Sequence, residues 1–250
     1  MWSVATSPEL HHSTYPMSIK HIQHIFFDLD HTLWDFETNS RIAFEQMFIV
    51  RDLEQIIRAS LEPFHKAYMV HNQRHWDLYS QGLISQSDLR WKRIYETLKD
   101  FDLDDVELAK SLGSTYLDIL PHGKNLFPGT RELLLYLQGK KYKLHIVSNG
   151  FEHTQYKKLF HSGIKEYFSN IITSEASNYI KPDKLIFEYA ANKSAASLNQ
   201  CIMIGDSPEA DLKGAYNAGI PSIYVDHLNV DTEVPHTFRV KELREIEGIL

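Results

Sequence analysis

The sequence predicts an α/β fold, a parallel sheet with helices on both faces, interrupted once by an inserted all-helical domain. Three observations carry that expectation. Short apolar runs alternate with helix-like segments from Pro128 to Val225, the pattern of a parallel sheet. A further apolar run, Ile25-Phe26-Phe27, stops abruptly at two carboxylates, Asp28 and Asp30. Between that run and the alternating half, residues 38–120 read as helix almost throughout.

The Ile25–Phe27 run is too short for a helix of its own and reads as a buried strand. Its polar end then falls outside the carboxyl end of a strand, where open α/β sheets bind ligands. Two acids there cost desolvation and mutual repulsion unless a cation or a reaction needs them. A calcium loop also starts Asp-x-Asp, but it requires Gly at its sixth position and Glu at its twelfth. Those positions hold Leu33 and Asn39, and a strand rather than a helix leads in, so that reading is excluded.

In the insertion, Phe44, Phe48, Leu53, Ile56 and Ile57 recur at helical spacing, as do Leu89, Ile94 and Leu98. Helices are predicted over Leu53–Gln81 and Ser87–Lys99, with Ser87 as an N-cap before Asp88. Pro121-His122-Gly123 closes the segment. The expected organisation is a helical cap domain over residues 35–121 and a sheet domain made of residues 21–34 and 122–250.

Pro128-Gly129-Thr130 opens a helix to Gly139, and Tyr142–Val147 is a strand ending at Ser148-Asn149-Gly150. A helix over Glu152–Phe160 is closed by Ser162-Gly163, and a third strand spans Asn170–Thr173. Lys181-Pro182-Asp183 starts the next helix, with Pro182 near N1, where its missing N–H costs nothing. A fourth strand, Gln200–Ile204, ends at Gly205-Asp206-Ser207. Pro208 starts a helix closed by Ala218-Gly219, and Pro221–Val225 is the fifth strand.

The chain has 250 residues, 43% apolar and 24% charged, enough to bury a substantial core. Its net charge of −7 and the lack of any Lys/Arg run argue against a nucleic acid polymer or an acidic membrane surface as main partner. Cys201, the single cysteine, rules out an intrachain disulfide, and its apolar context suggests burial rather than reactivity. No apolar segment approaches the length of a membrane span. Residues 1–20 are polar, carry His11-His12 and lack a signal-peptide core. They are expected to be a flexible leader, with Met17 as an alternative start and the cytoplasm as the compartment.

Four segments share one rim in this reading: the strand ends at Asp28, Ser148 and Asp206, and the helix start at Lys181. Any one is weak evidence, since an Asp after a strand is commonly just a helix cap. Together, Asp28-Leu29-Asp30-His31-Thr32, Ser148-Asn149, Lys181-Pro182 and Gly205-Asp206-Ser207 with Asp211 resemble, in order, the motifs of the haloacid dehalogenase-like hydrolase superfamily. The resemblance runs from Ile22 to the C-terminus and implies a Rossmann-like core with an inserted helical cap.

It also implies roles. Asp28 would be the nucleophile and Asp30 the general acid and base. Mg²⁺ would be held by Asp28, Asp206 and the backbone carbonyl of Asp30, with Asp211 orienting a metal-bound water. Thr32, Ser148 and Asn149 would serve the phosphate, and Lys181 would neutralise both nucleophile and phosphoryl charge. Four carboxylates against one lysine and one divalent cation leave the site negative once a phosphate dianion arrives. Neighbouring carboxylates are therefore expected to favour the protonated form of Asp30 that a general acid needs.

Dehalogenases of the family lack the second aspartate, so Asp30 favours phosphoryl transfer. Ser148-Asn149-Gly150-Phe151 and the turn Leu33-Trp34-Asp35-Phe36 look like the pyrimidine 5′-nucleotidase-type subgroup. The expected activity is a phosphatase for a small phosphorylated metabolite, with a nucleoside 5′-monophosphate as candidate. The alternatives are a sugar phosphomutase, a phosphoglycolate-type phosphatase and a non-catalytic phosphate-binding regulator. Trp34 or Phe36 could stack on a base or simply pack between core and cap, and Arg93 could reach the substrate or be a solvated helix residue. Asn178 stands where the subgroup usually has Gly; Asn is the best non-glycine occupant of left-handed backbone. His71 and His75 lie i, i+4, but no acid stands between them, and surface positions are expected.

Overall fold

A computed structural model describes residues 19–250; the leader expected over residues 1–20, with its Met17 start, lies outside the described residues up to residue 18. The chain divides into two compact units, one of residues up to Asp35 with Leu126–Leu250, the other of Phe36–Asn125.

The first unit is built on six parallel strands: β1 (His24–Phe27), β2 (Lys143–Ser148), β3 (Phe168–Thr173), β4 (Cys201–Gly205), β5 (Ser222–Val225) and β6 (Phe238–Val240). Their order across the sheet is β3-β2-β1-β4-β5-β6. The chain thus builds outward from β1 on one side, then crosses to the other side for β4. That reversal opens a crevice beside the carboxyl ends of β1 and β4, the position where doubly wound sheets bind ligands. Phe27 pairs with both Ile146 and Ile204, so Asp28 emerges at this point. Its N–H donates to Ile204 O at 2.9 Å, continuing the ladder one residue past the strand.

Strands β1 and β4 are buried at every residue, which is why they read as continuous apolar runs rather than alternating ones. Phe26, Val147, Ile172, Phe187 and Met203 belong to one core cluster. Cys201 lies in that cluster, and burial pushes its thiol up to about 12, as its apolar context suggests. The sheet has one strand more than the sequence pattern announces. β6 is only three residues long and carries Arg239 at its centre, whose guanidinium pairs with buried Asp226 at 2.6 Å.

Helix starts show two further differences. Pro182 precedes the helix instead of occupying its first turn: Asp183 is the N-cap, accepting from Leu185 N–H at 2.9 Å, and the helix runs Lys184–Lys193. The segment after β4 begins as a π-helical turn, Pro208–Leu212, before the α-helix Lys213–Ala218. Asn178 does adopt the left-handed conformation, with φ 62°.

The helical unit comprises α1 (Phe36–Arg51), α2 (Leu53–Ile57), α3 (Leu61–Ser80), α4 (Gln86–Lys99) and α5 (Val106–Ile119). The helix expected over Leu53–Gln81 is interrupted: Arg58 turns left-handed and caps α2, and Ser60 is extended before α3. Ser85, not Ser87, caps α4, accepting from Asp88 N–H at 3.0 Å. Phe44, Phe64, Tyr68 and Tyr116 form its aromatic centre; Phe44 lies 4.5 Å from Tyr68 and 4.6 Å from Tyr116, centroid to centroid. The unit extends past Pro121 to Asn125, because Asn39 on α1 accepts from Asn125 N–H and donates to its carbonyl.

Arg93 is neither solvated nor extended outward. It is 2% exposed, donates to Asn72 Oδ1 at 2.7 Å and lies within 6 Å of the ring centres of Tyr68, Trp76 and Tyr116. His75 is likewise buried rather than superficial, its Nδ1 donating to His71 O within α3, while His71 meets Asp100. Among the described residues no helix is long and apolar enough to cross a membrane.

His24 and His145 stack in the sheet core, with His24 Nδ1 and His145 Nε2 3.1 Å apart. Asn170 and Ser194 both approach His145 Nδ1, so that atom accepts and Nε2 carries the proton toward His24. Burial lowers the His145 pKa to about 4. An unfolded histidine binds a proton below about 6.5, so this pair's stabilisation is complete above that pH and is lost as pH falls toward 4. Urea unfolding should show the wild type losing about 3 kcal/mol more than His145→Gln between pH 7 and pH 4. Parallel losses in the two proteins would contradict the neutral buried pair.

Candidate active site

Lys181 stands at the centre of the site. It is 2% exposed, and its ammonium donates to Asp28 Oδ1 at 2.5 Å, Asp211 Oδ1 at 2.6 Å and Val147 O at 2.8 Å. All three of its protons are spent on the protein. The loop carrying it is fixed by Asn149, whose side chain accepts from Lys181 N–H at 2.8 Å and donates to Lys181 O at 3.0 Å. Asn149 therefore positions the lysine, where the sequence suggested a phosphate contact for its side chain. The reason is geometric: a primary amide pairs with a peptide unit through both its donor and its acceptor.

Thr32 departs from expectation in the same way. Its hydroxyl donates to Asp206 Oδ1 at 2.6 Å and accepts from Asp206 N–H at 3.1 Å, and the residue is fully buried. The hydroxyl orients Asp206 and has no proton left for a phosphate. Ser148 keeps its hydroxyl proton: its Oγ accepts from Gly150 N–H at 3.1 Å and from Gln155 Nε2 at 2.7 Å.

Asp28 Oδ1 is held by Lys181, which leaves Oδ2 without a protein partner among the described residues. Burial raises the Asp28 pKa well above the carboxylate range; the Lys181 charge opposes this, and Asp211 and Asp206 add to it. Desolvation, followed by the charge of Asp211, pushes Asp206 up to about 7. Asp211 is completely buried, with Oδ1 on Lys181 and Oδ2 accepting from Ser207 N–H at 3.0 Å. Room for it exists because residue 205 is glycine: a Cβ there would fall 2.2 Å from Asp211 Oδ2. Asp28, Asp206 and Asp211 each bring one carboxylate oxygen within 4.8 Å of the others. Three carboxylates gathered as hard oxygen donors, with Asp28 and Asp206 reluctant to ionise, fit a small divalent cation such as Mg²⁺.

Asp30 is met by donors, where the sequence suggested neighbouring carboxylates. Lys158 Nζ lies 2.6 Å from Oδ1, and Gln155 Nε2 lies 2.9 Å from Oδ2. Both come from the helix Glu152–His161 that follows β2, and neither was singled out in the sequence. Their i, i+3 spacing directly after Ser148-Asn149-Gly150 was the available signal, since it sets two polar side chains on one face of that helix.

Trp34 and Phe36 offer no open stacking face. Trp34 is completely buried, with the Lys158 ammonium 4.4 Å from its ring centre, and Phe36 is 5% exposed at the start of α1.

Comparison with known proteins agrees with this geometry. The haloacid dehalogenase-like hydrolase family matches residues 22–219. The crystal structure of the HAD-hydrolase YfnB from Bacillus subtilis, bound to magnesium, superposes with a TM-score of 0.82 at 28% identity, covering 92% of this chain and 99% of that one. The pyrimidine 5′-nucleotidase YjjG of Escherichia coli is 28% identical over 90% of this chain and 96% of its own length. The pyrimidine 5′-nucleotidase PynA of Streptococcus pneumoniae is 29% identical over 89% and 92%.

Removing one member of a buried ion network leaves the others uncompensated. Lys181→Met strands Asp28 and Asp211 against each other and should lower the unfolding free energy by about 3–5 kcal/mol at pH 7, measured by urea denaturation. A loss under about 1 kcal/mol would mean the lysine is not the structural counter-charge of the site.

Proposed function

The chain belongs to the haloacid dehalogenase-like hydrolase family, and we propose that it is a Mg²⁺-dependent phosphatase of small phosphate monoesters, with a pyrimidine nucleoside 5′-monophosphate as leading substrate. The observation that carries this reading is the second aspartate. Asp30 stands two residues beyond the Lys181-bound Asp28 and is held in place by its own donors. A leaving alkoxide needs a proton and a leaving halide does not, so a carboxyl group maintained there suits phosphoryl transfer. The two nucleotidase relatives support the choice of substrate.

The chemistry follows from the chain's own groups. Asp28 attacks phosphorus, forming an aspartyl-phosphate as the bond to the leaving oxygen breaks, and Asp30 gives its proton to that oxygen. Asp30 then takes a proton from water, which cleaves the acyl-phosphate and restores Asp28. The Ser148 hydroxyl donates to a phosphoryl oxygen, and the Lys181 ammonium offsets charge on Asp28 throughout. Asn149 and Thr32 act indirectly, by holding Lys181 and Asp206. Asp28, Asp206 and the Asp30 carbonyl would hold Mg²⁺, with Asp211 supporting the shell, and the ion supplies positive charge for the phosphoryl oxygens. The chain's two units are proposed to act as sheet core and cap.

Asp28→Asn should reduce hydrolysis of every phosphate monoester by more than about 10³-fold while the fold, read by circular dichroism, is kept. A screen of nucleoside monophosphates, sugar phosphates and phosphoglycolate with Mg²⁺ should rank pyrimidine monophosphates first. A wild type inert toward all of them sinks the phosphatase reading.

Metal binding should also be pH-dependent. Asp206 must shed a proton that it holds up to about 7, and burial raises Asp28 as well, so Mg²⁺ affinity should fall at least about tenfold per unit below pH 7, by titration calorimetry. An affinity constant from pH 5 to 8 would remove Asp206 from the metal shell.

A further inference from the structure

We propose that Lys158 and Gln155 are positioning residues that hold the Asp30 carboxylate in the orientation from which it passes its proton to the leaving group. This rests on the phosphatase reading and extends it to two residues outside the family motifs quoted above.

Lys158 is almost completely enclosed, its side chain 4% exposed, with the ammonium 2.6 Å from Asp30 Oδ1 and 4.4 Å from the Trp34 ring centre. Gln155 is fully buried and its Nε2 bridges two groups, Asp30 Oδ2 at 2.9 Å and Ser148 Oγ at 2.7 Å. The amide orientation is dictated: reversed, its oxygen would face a carboxylate. The consequence is visible at the other end, where Gln155 Oε1 is buried with no hydrogen-bond partner among the described residues. An amide that leaves its acceptor orphaned to give both protons to the site is organised around those two acceptors. The backbone makes room for it. A Cβ at Gly150 would fall 2.3 Å from Gln155 Nε2, and Gly150 N–H itself donates to Ser148 Oγ.

The clamp divides labour without blocking the reaction. Each carboxylate oxygen has two lone pairs, so one donor on each leaves a position for the transferred proton. In the first step the phosphorus–leaving-oxygen bond breaks, the Asp28–phosphorus bond forms, and the Asp30 proton goes to the leaving oxygen. Lys158 keeps its own protons and Gln155 is unchanged. Through Ser148, the same amide links the orientation of the acid to the hydroxyl offered to the phosphoryl group.

The test is leaving-group dependence in a single turnover. With an alkyl phosphate, departure requires the proton; with 4-nitrophenyl phosphate it scarcely does. Lys158→Met should slow first-turnover release from the alkyl ester about 10²–10³-fold with KM little changed, and release of 4-nitrophenol less than about tenfold. Lys158→Arg should recover most of the alkyl rate. In an Asp30→Asn background Lys158→Met should cost little more, since both changes remove one function. Equal slowing of both esters, or additive losses in the double variant, would overturn the proposal and leave the phosphatase reading standing. A wild type that cleaves neither ester would instead remove the reading beneath it. Should Lys158→Met fail to fold, Lys158→Gln carries the same comparison with a neutral polar side chain.

Discussion

The site depends on one buried ammonium. Lys181 satisfies Asp28, Asp211 and a backbone carbonyl at once. An unpaired carboxylate at that depth would be protonated or expelled. With the lysine in place the pair persists, so the protein can fold with its nucleophile and metal-facing acids assembled beforehand. Preorganisation of that kind lets fixed charge act in the reaction without rearranging at the moment of bond breaking.

Several residues of the motifs serve this centre without facing a substrate. Asn149 clamps the lysine's peptide, Thr32 grips Asp206 from both sides, and the glycines at 150 and 205 vacate space for Gln155 and Asp211. The motif residues thus divide into groups offered to the chemistry and groups that fix them. The sheet order explains why such short segments suffice. β1 and β4 are neighbours at the crossover, so Asp28 and Asp206 leave the same edge side by side, although 178 positions separate them by number.

What the sequence made legible follows from the same physics. Buried parallel strands are apolar runs with abrupt ends, so β1, β2, β4 and β5 could be read directly, and with them Asp28, Ser148 and Asp206. β6 escaped because three residues centred on Arg239 form no such run. Hydroxyl and amide side chains were read as ligands because their types suit phosphate. Thr32 spends its proton on the Asp206 carboxylate and Asn149 one of its protons on the Lys181 carbonyl, partners that spacing does not show. Arg93 carried a charge and so looked solvated. Its guanidinium is instead surrounded by Tyr68, Trp76 and Tyr116, a stabilisation that exists only once three helices have packed.

Asp30 shows the limit most clearly. Counting charges along the motifs gave a surplus of carboxylates and hence a proton for Asp30. Lys158 adds a second ammonium to that count, and it reaches the site from a helix face outside any of the motifs. The two lysines divide the two aspartates between them: Lys181 faces the nucleophile, and Lys158 faces the acid. Nucleophile and acid must differ in protonation during the first step although they are two residues apart on one strand end. Separate cations on separate elements hold the two carboxyl groups in place independently of one another.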